Sequence, residues 1–385
     1  MSAVVDRRST GTVAPGFESV QTLLNTFLAA DEAYSAQVVA LWRGEPVVDL
    51  AGGSELDSDS VTGVFSVSKG VAAVALSLLV EDGRLDLDAP VIEYWPEFGA
   101  FDKHAIRVRE LLSHQAGLVG ADGGLTLDDL VDSSRAAERL AATSPIWTPR
   151  SSFGYHGLTI GVFMEELVRR ITGESLKALY EREVRAPRGI DFYLGLPGDQ
   201  ESRYREVSPV VPTPAQRAEL ESAVPYPDGL MALAFDALPG EGAAVAGVLS
   251  HTREGREAGF TSVGGVGSAR GIAEVYAASL GHLGEPLLSP ETITAMSQEQ
   301  VFGTDRVLNT QMAFGVVFMK PQPRIPFGSY RAFGHDGAGG ALGYADPMYD
   351  LAFGYIPLPM QYPGGADSKS IALSTEIRRC IQELD

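Results

Sequence analysis

Cysteine is almost absent from this 385-residue chain. Cys380, in Ile377-Arg378-Arg379-Cys380-Ile381, stands alone, so no intrachain disulfide can form, and the thiol reads as a structural one on a final helix. Long apolar runs are absent too: nothing reaches the roughly 20 residues that a bilayer crossing needs. The stretch Met1 to Pro15 is polar, and Arg7-Arg8 is not followed by the apolar run of a secretory signal. A cytoplasmic location and no membrane partner are therefore expected. Positive charge is scarce. Lys and Arg number 30 against 50 Asp and Glu, leaving a formal charge of −20 and a pI near 4.7. Such a surface repels nucleic-acid phosphates and anionic lipid alike, which excludes nucleic acid as a partner.

Several motifs are missing in turn. No His-x-x-x-His pair, cysteine cluster or carboxylate run has the spacing of metal ligands. Gly264-Gly265-Val266-Gly267 lacks the strand-to-helix layout of a dinucleotide loop, so neither a metal nor a cofactor is expected. The Gly-x-Ser-x-Gly elbow of α/β-hydrolases does not occur; Gly267-Ser268-Ala269-Arg270-Gly271 comes nearest, with its serine one place early. Internal repeats and low-complexity segments are lacking as well. What remains is a folded globular chain, 45% hydrophobic and 21% charged, suited to a small neutral substrate.

What is present is Ser66-Val67-Ser68-Lys69. One helical turn separates the serine from the lysine, so Ser66 Oγ and Lys69 Nζ can meet on one face. A serine hydroxyl needs a neighbour to take its proton, and a lysine desolvated among apolar residues can do so as the neutral amine. Val64-Phe65 before and Gly70-Val71-Ala72-Ala73 after supply that apolar setting. The run to Asp82 is apolar nearly all round and closes at Gly83, which suits a buried helix whose N-terminal amides lie beside the nucleophile.

Periodicity organises the rest. A helix is expected over Phe17 to Ala30, then a hairpin of Ala36–Trp42 and Pro46–Leu50 around Arg43-Gly44-Glu45. Helical patterns follow at Val108–Leu112, Thr126–Val131, Arg135–Ala141, Gly161–Thr172 and Ser175–Val184. Pro197 to Gly240 has little periodicity and many prolines, and reads as long loops around a cleft. A helix resumes near Ala269, strand-like runs span Gln311–Met319, Tyr330–Gly334, Ala341–Ala345 and Leu351–Ile356, and Asp367–Leu384 closes the chain as a helix. At this length two lobes are expected. The fold class is α/β of the α+β type, an antiparallel sheet flanked by terminal helices with an inserted, mainly helical lobe. The boundaries expected are 1–84 with 260–385 for the sheet domain and 85–259 for the helical one.

Taken in order, five segments resemble the serine β-lactamase and penicillin-binding-protein superfamily, and within it the class C β-lactamase-like esterases, the family VIII carboxylesterases. They are Gly63 to Lys69; Leu85 to Val91 with Tyr94-Trp95-Pro96; Val108 to Leu118, which contains Ser113-His114-Gln115; Gly154 to Thr159; and Phe333 to Gly340 with Gly343 to Pro347. The resemblance implies a β-lactamase/transpeptidase-like fold and a catalytic trio of Ser66, Lys69 and Tyr155. It also implies an oxyanion hole from the backbone N–H groups of Ser66 and Ala338. His335, Asp336 and Gly337 would support the site or line its pocket, while His114 and His156 are expected in structural roles. Two departures matter. Tyr155-His156-Gly157 lacks the asparagine of the lactamase Tyr-x-Asn, and His335-Asp336-Gly337 stands where lactamases carry Lys-Thr-Gly. Those changes point to hydrolysis of short-chain neutral esters through an acyl-enzyme on Ser66. The alternatives are acyl transfer, a β-lactamase or D-amino-acid peptidase, and a non-catalytic ligand-binding relative.

Overall fold

Short strands and helices alternate through residues 8–222, 229–235 and 252–385, which the computed structural model describes. β1 (Thr10–Val13) leads into α1 (Glu18–Ala30), and β2 (Ser35–Trp42), β3 (Glu45–Gly52) and β4 (Val61–Gly63) precede the long helix α2 (Val67–Glu81). Helices α3 (Val108–Leu112), α4 (Leu127–Val131), α5 (Ser133–Ala141), α6 (Thr159–Thr172) and α7 (Leu176–Tyr180) follow, then β5 (Phe192–Tyr193) and β6 (Tyr204–Arg205). Next come α8 (Pro214–Ser222), α9 (Leu230–Phe235), α10 (Arg253–Ala258), β7 (Val266–Gly267), α11 (Ala269–Ser279) and α12 (Pro290–Ser297). Strands β8 (Val301–Thr304), β9 (Gln311–Phe314), β10 (Phe333–Asp336), β11 (Leu342–Asp346) and β12 (Leu351–Leu358) lead to the closing helix α13 (Ser368–Leu384).

Six strands form one antiparallel sheet in the order β1-β3-β2-β12-β11-β10. Arg43 and Gly44 both take positive φ, 54° and 85°, in the tight connection from β2 to β3, a twist that matches paired strands. Along β2, Ala36, Val38 and Ala40 join an apolar cluster with α1 and α13, while Val39 and Leu41 join a second one with α2 and α11. β12 divides in the same way, with Leu351, Phe353 and Tyr355 on one face and Ala352, Ile356 and Leu358 on the other. Helices cover both faces, so these strands read as unbroken apolar runs instead of alternating ones. Gln37 is a polar exception. It is buried but satisfied, donating to the carbonyls of Asp57 and Ser60 and accepting from Ala269 N where α11 begins.

α2 is a core helix: 12 of its 15 residues are buried, so its lysine cannot reach water by facing outward. It packs against α6, α7, α11 and α12 and against strands β10 and β11. Gly83, at φ 66°, donates to the Val80 carbonyl and ends it.

Three expectations change. Gln311–Met319 is not one strand: β9 ends at Phe314, which bridges back to Met319. Between them Phe318 N donates to Val316 O, with Val317 at φ 66° in the centre of a γ-turn and its own N–H on Leu112 O at 2.7 Å. This turn is buried, so it is apolar and carries no turn signature in the sequence. The expected loops at Pro197–Gly240 contain a 3-10 turn at Gly198–Arg203, β6, α8 and α9; residues 223–228 and 236–240 lie outside the described residues. The helix expected over Ser175–Val184 ends as α at Tyr180 and continues as a π-helical turn, Glu181–Arg185.

Candidate active site

The head of α2 is built by a forced turn. Phe65 sits at φ 49°, a conformation that L side chains resist, and the helix starts immediately after Ser66. Ser68 ties this turn to the neighbouring strand: its Oγ donates to Phe65 O at 2.5 Å and accepts from Gly265 N at 2.8 Å. Lys69 Nζ hydrogen-bonds Ser66 Oγ at 2.8 Å and donates to Ser262 O at 2.9 Å. Ser262 is fixed in turn, with its Oγ donating to Leu158 O and accepting from Gly161 N at the start of α6. Lys69 is fully buried and, among the described residues, forms no ion pair. Burial therefore holds its amine well below the usual lysine range, and the charge on Asp336 only partly opposes that.

Tyr155 comes from the segment just before α6. Its hydroxyl lies 3.4 Å from His335 Nε2, and Lys69 Nζ lies 5.1 Å from its ring centre. Its ring stacks on Phe314, with centroids 5.8 Å apart and planes at 15°. Burial pushes the phenol well above its ordinary range, and a hydrogen bond with Ser66 pulls modestly the other way. Phe235 of α9 packs 5.9 Å from the same ring.

β10 brings up the third side. His335 Nδ1 faces Asp336 O at 2.8 Å, which a proton on Nδ1 satisfies, and Nε2 is turned toward the Tyr155 hydroxyl. Asp336 turns its Oδ2 onto Ala366 N at 2.8 Å, and Oδ1 lies 3.6 Å from His335 Nδ1. Burial alone would raise the Asp336 carboxyl; His335, the Ala366 N–H and Arg324 outweigh it and hold the group below the usual carboxylate range. At Gly337 a Cβ would stand 2.2 Å from Val64 O, so only glycine lets this strand end close on the nucleophile turn. Among the described residues the N–H groups of Ser66 and Ala338 have no acceptor.

The structure thus brings together Ser66, Lys69, Tyr155, His335, Gly337 and Ala338, and sets Asp336 just behind them. Sequence reasoning missed Ser262, whose contribution is a backbone carbonyl without side-chain signature. It also missed Phe314 and Phe235, which lay in an apolar run and an aperiodic one. No group of three or more His, Cys, Asp or Glu among the described residues converges to hold a metal, and no described helix is long and apolar enough to cross a membrane.

An antiparallel sheet with terminal helices on one face, and a Ser-x-x-Lys pair heading a buried helix on the other, is the architecture of serine β-lactamases and penicillin-binding proteins. The chain belongs to the beta-lactamase family, whose model matches residues 20–357. It is similar to the esterase/beta-lactamase LipL of Mycobacterium tuberculosis, 32% identical over 372 residues, which spans 91% of this chain and 83% of that protein. The structure of EstA from Arthrobacter nitroguajacolicus Rue61a is 48% identical, with a TM-score of 0.90 over 97% of this chain and 98% of that one. That of a family VIII carboxylesterase is 31% identical, with a TM-score of 0.85 over 97% and 99%.

Proposed function

We propose that the chain is a serine carboxylesterase that hydrolyses short-chain neutral esters through an acyl-enzyme on Ser66. The observation that carries the reading is the buried Lys69 amine, 2.8 Å from Ser66 Oγ and in no direct ion pair among the described residues. Neutral Lys69 takes the serine proton as Oγ attacks the ester carbonyl carbon, and the N–H groups of Ser66 and Ala338 receive the developing oxyanion. Tyr155, kept as the phenol by burial, gives its proton to the leaving alkoxide as the C–O bond breaks. The resulting phenolate regains a proton from the Lys69 ammonium. Water then attacks the acyl carbon, Lys69 takes the water proton, and Ser66 Oγ leaves reprotonated. His335 Nε2, 3.4 Å from the Tyr155 hydroxyl, orients it. We read the location as cytoplasmic, in keeping with one buried, unpaired thiol.

Two features favour esters over β-lactams. At Gly157, where the lactamase pattern has asparagine, a Cβ would stand 2.5 Å from the Phe235 ring, so an apolar wall occupies the space of the missing amide. Ionised Asp336 stands where lactamases carry a hydroxyl, and His335 stands where they carry a lysine. At an effective dielectric of about 20, a like-charge pair about 4 Å apart costs on the order of 4 kcal/mol. Half of that still lowers the affinity of an anionic β-lactam roughly thirtyfold. β-Lactam hydrolysis is the second reading, drawn from the double name of the mycobacterial relative. Chromogenic acetate and butyrate esters run beside a chromogenic cephalosporin decide between them. Ester kcat/KM should exceed the cephalosporin value by at least about thirtyfold and vanish in Ser66→Ala; equal values would overturn the reading.

A further inference from the structure

His114 occupies a place that few side chains accept. It is fully buried with φ 67°, a left-handed conformation in which, glycine apart, Asn, Asp and His are the enriched residues. Two of its polar atoms reach the same short segment from opposite ends. Its carbonyl accepts from Gly154 N at 3.1 Å, and its Nδ1 accepts from His156 N at 3.1 Å. Those are the residues on either side of Tyr155. A ring nitrogen that accepts an N–H carries no proton, so the imidazole is neutral with its hydrogen on Nε2. Burial, with the nearby His156, His335 and Lys69, holds it in that form. Nε2 has no hydrogen-bond partner among the described residues, an uncommon state for a buried polar atom. The ring lies 5.2 Å from that of Tyr155 and 4.5 Å, edge-on, from that of Phe314, on which Tyr155 stacks.

We propose that His114 is a positioning residue for Tyr155: it brackets the tyrosine through backbone bonds on both sides and a ring contact, and so sets where the hydroxyl stands relative to Ser66. The inference rests on the role given to Tyr155 above. His156 completes the bracket, donating from Nδ1 to Gly154 O at 2.8 Å and accepting Leu118 N on Nε2 at 3.1 Å. The carbonyl of residue 114 would survive most substitutions; the Nδ1 bond belongs to the side chain. Asparagine tolerates the left-handed conformation and carries its carbonyl oxygen at the branch position of Nδ1, so it can renew that bond. Glutamine is as polar but holds its acceptor one bond farther out.

The test measures kcat and KM for a fluorogenic butyrate ester in His114→Asn and His114→Gln, each also in a Tyr155→Phe background. Misplacing a catalytic group by about 1 Å can cost about a hundredfold, so His114→Gln should lower kcat on that scale with KM within about threefold. His114→Asn should keep kcat within about threefold of wild type. In Tyr155→Phe, where there is no hydroxyl left to place, His114→Gln should remove less than about a further threefold. Equal losses in Asn and Gln, or an undiminished Gln effect in Tyr155→Phe, overturn the bracket alone. Near-normal turnover in Tyr155→Phe by itself overturns the premise instead. A His114→Leu melting curve, set beside that of His114→Asn, reports any loss of folding separately.

Discussion

Gly70, the residue after Lys69, offers a quantitative check on how the nucleophile turn is packed. A Cβ there would lie 2.1 Å from the Tyr276 hydroxyl oxygen, 3.3 Å from His335 Cβ and 3.4 Å from Tyr276 Cζ. Tyr276 cannot swing clear, because it is fully buried on α11 with its ring edge-on to Phe333 at 6.3 Å. Two effects oppose each other in Gly70→Ala. A glycine in a helix interior gives up about 1 kcal/mol relative to alanine, so the substitution gains that much wherever space is free. Overpacking a rigid core costs about 1–3 kcal/mol, and an oxygen this close belongs at the upper end. The net expectation is a loss of about 2 kcal/mol, the overpacking cost less the helix gain. Tyr276→Phe removes the offending oxygen and leaves Cζ at ordinary contact. In that background Gly70→Ala should stabilise by up to about 1 kcal/mol, less whatever the His335 Cβ takes back. Urea unfolding of the four proteins, with midpoints compared at constant m, reads the cycle directly. If Gly70→Ala has the same sign in both backgrounds, the Tyr276 hydroxyl is not what excludes a side chain at position 70.

The nucleophile pair and the buried imidazoles give two further expectations. Ser66→Ala and Lys69→Ala should each lower kcat at least about a thousandfold, with the double variant little worse, as for groups that act as a unit; turnover within about tenfold of wild type in Ser66→Ala sinks the assignment. Burial, partly opposed by the hydrogen bond to the Gly154 carbonyl, pushes the His156 imidazole down to about 4 from 6.5. The unfolded chain then binds more protons below pH 6.5, so this contribution is whole above that pH and lost on acidification. At 1.36 kcal/mol per unit, wild type should lose about 3 kcal/mol of stability relative to His156→Gln between pH 7 and pH 4. A wild-type-minus-variant difference that stays flat with pH contradicts the neutral, buried imidazole.

Legibility in the sequence followed how local each feature is. Ser66 and Lys69 are one helical turn apart, so spacing alone foretells their 2.8 Å contact. Tyr155 and His335 converge from distant segments, and only the order of familiar strings pointed to them. The terminal helices and the central strands were readable because their apolar faces are long. α9 was not: six residues are too few to show a period, and its task of pressing Phe235 on Tyr155 depends on a shape no local pattern encodes. Val317 failed differently, since a buried turn has no reason to use polar turn residues. The Ser262 carbonyl that holds Lys69 could not have been read at all, because every residue has one.

The pairing of β2 with β12 also governs when this protein can become itself. Ser35 to Trp42 bonds on one side to β3, its immediate neighbour, and on the other to Leu351 to Leu358, far along the sequence. During synthesis the hairpin of β2 and β3 therefore waits with an apolar edge unpaired until Leu351 to Leu358 have emerged. Over that interval Val38, Val39 and Ala40 offer a ready template to any other extended strand. The floor beneath α2 arrives with the same late strands, so a chain truncated before β12 would carry Ser66 and Lys69 but lack the completed sheet on which α2 packs. Such a fragment should expose that edge to aggregation, and the site is complete only once β10, β11 and β12 are in place.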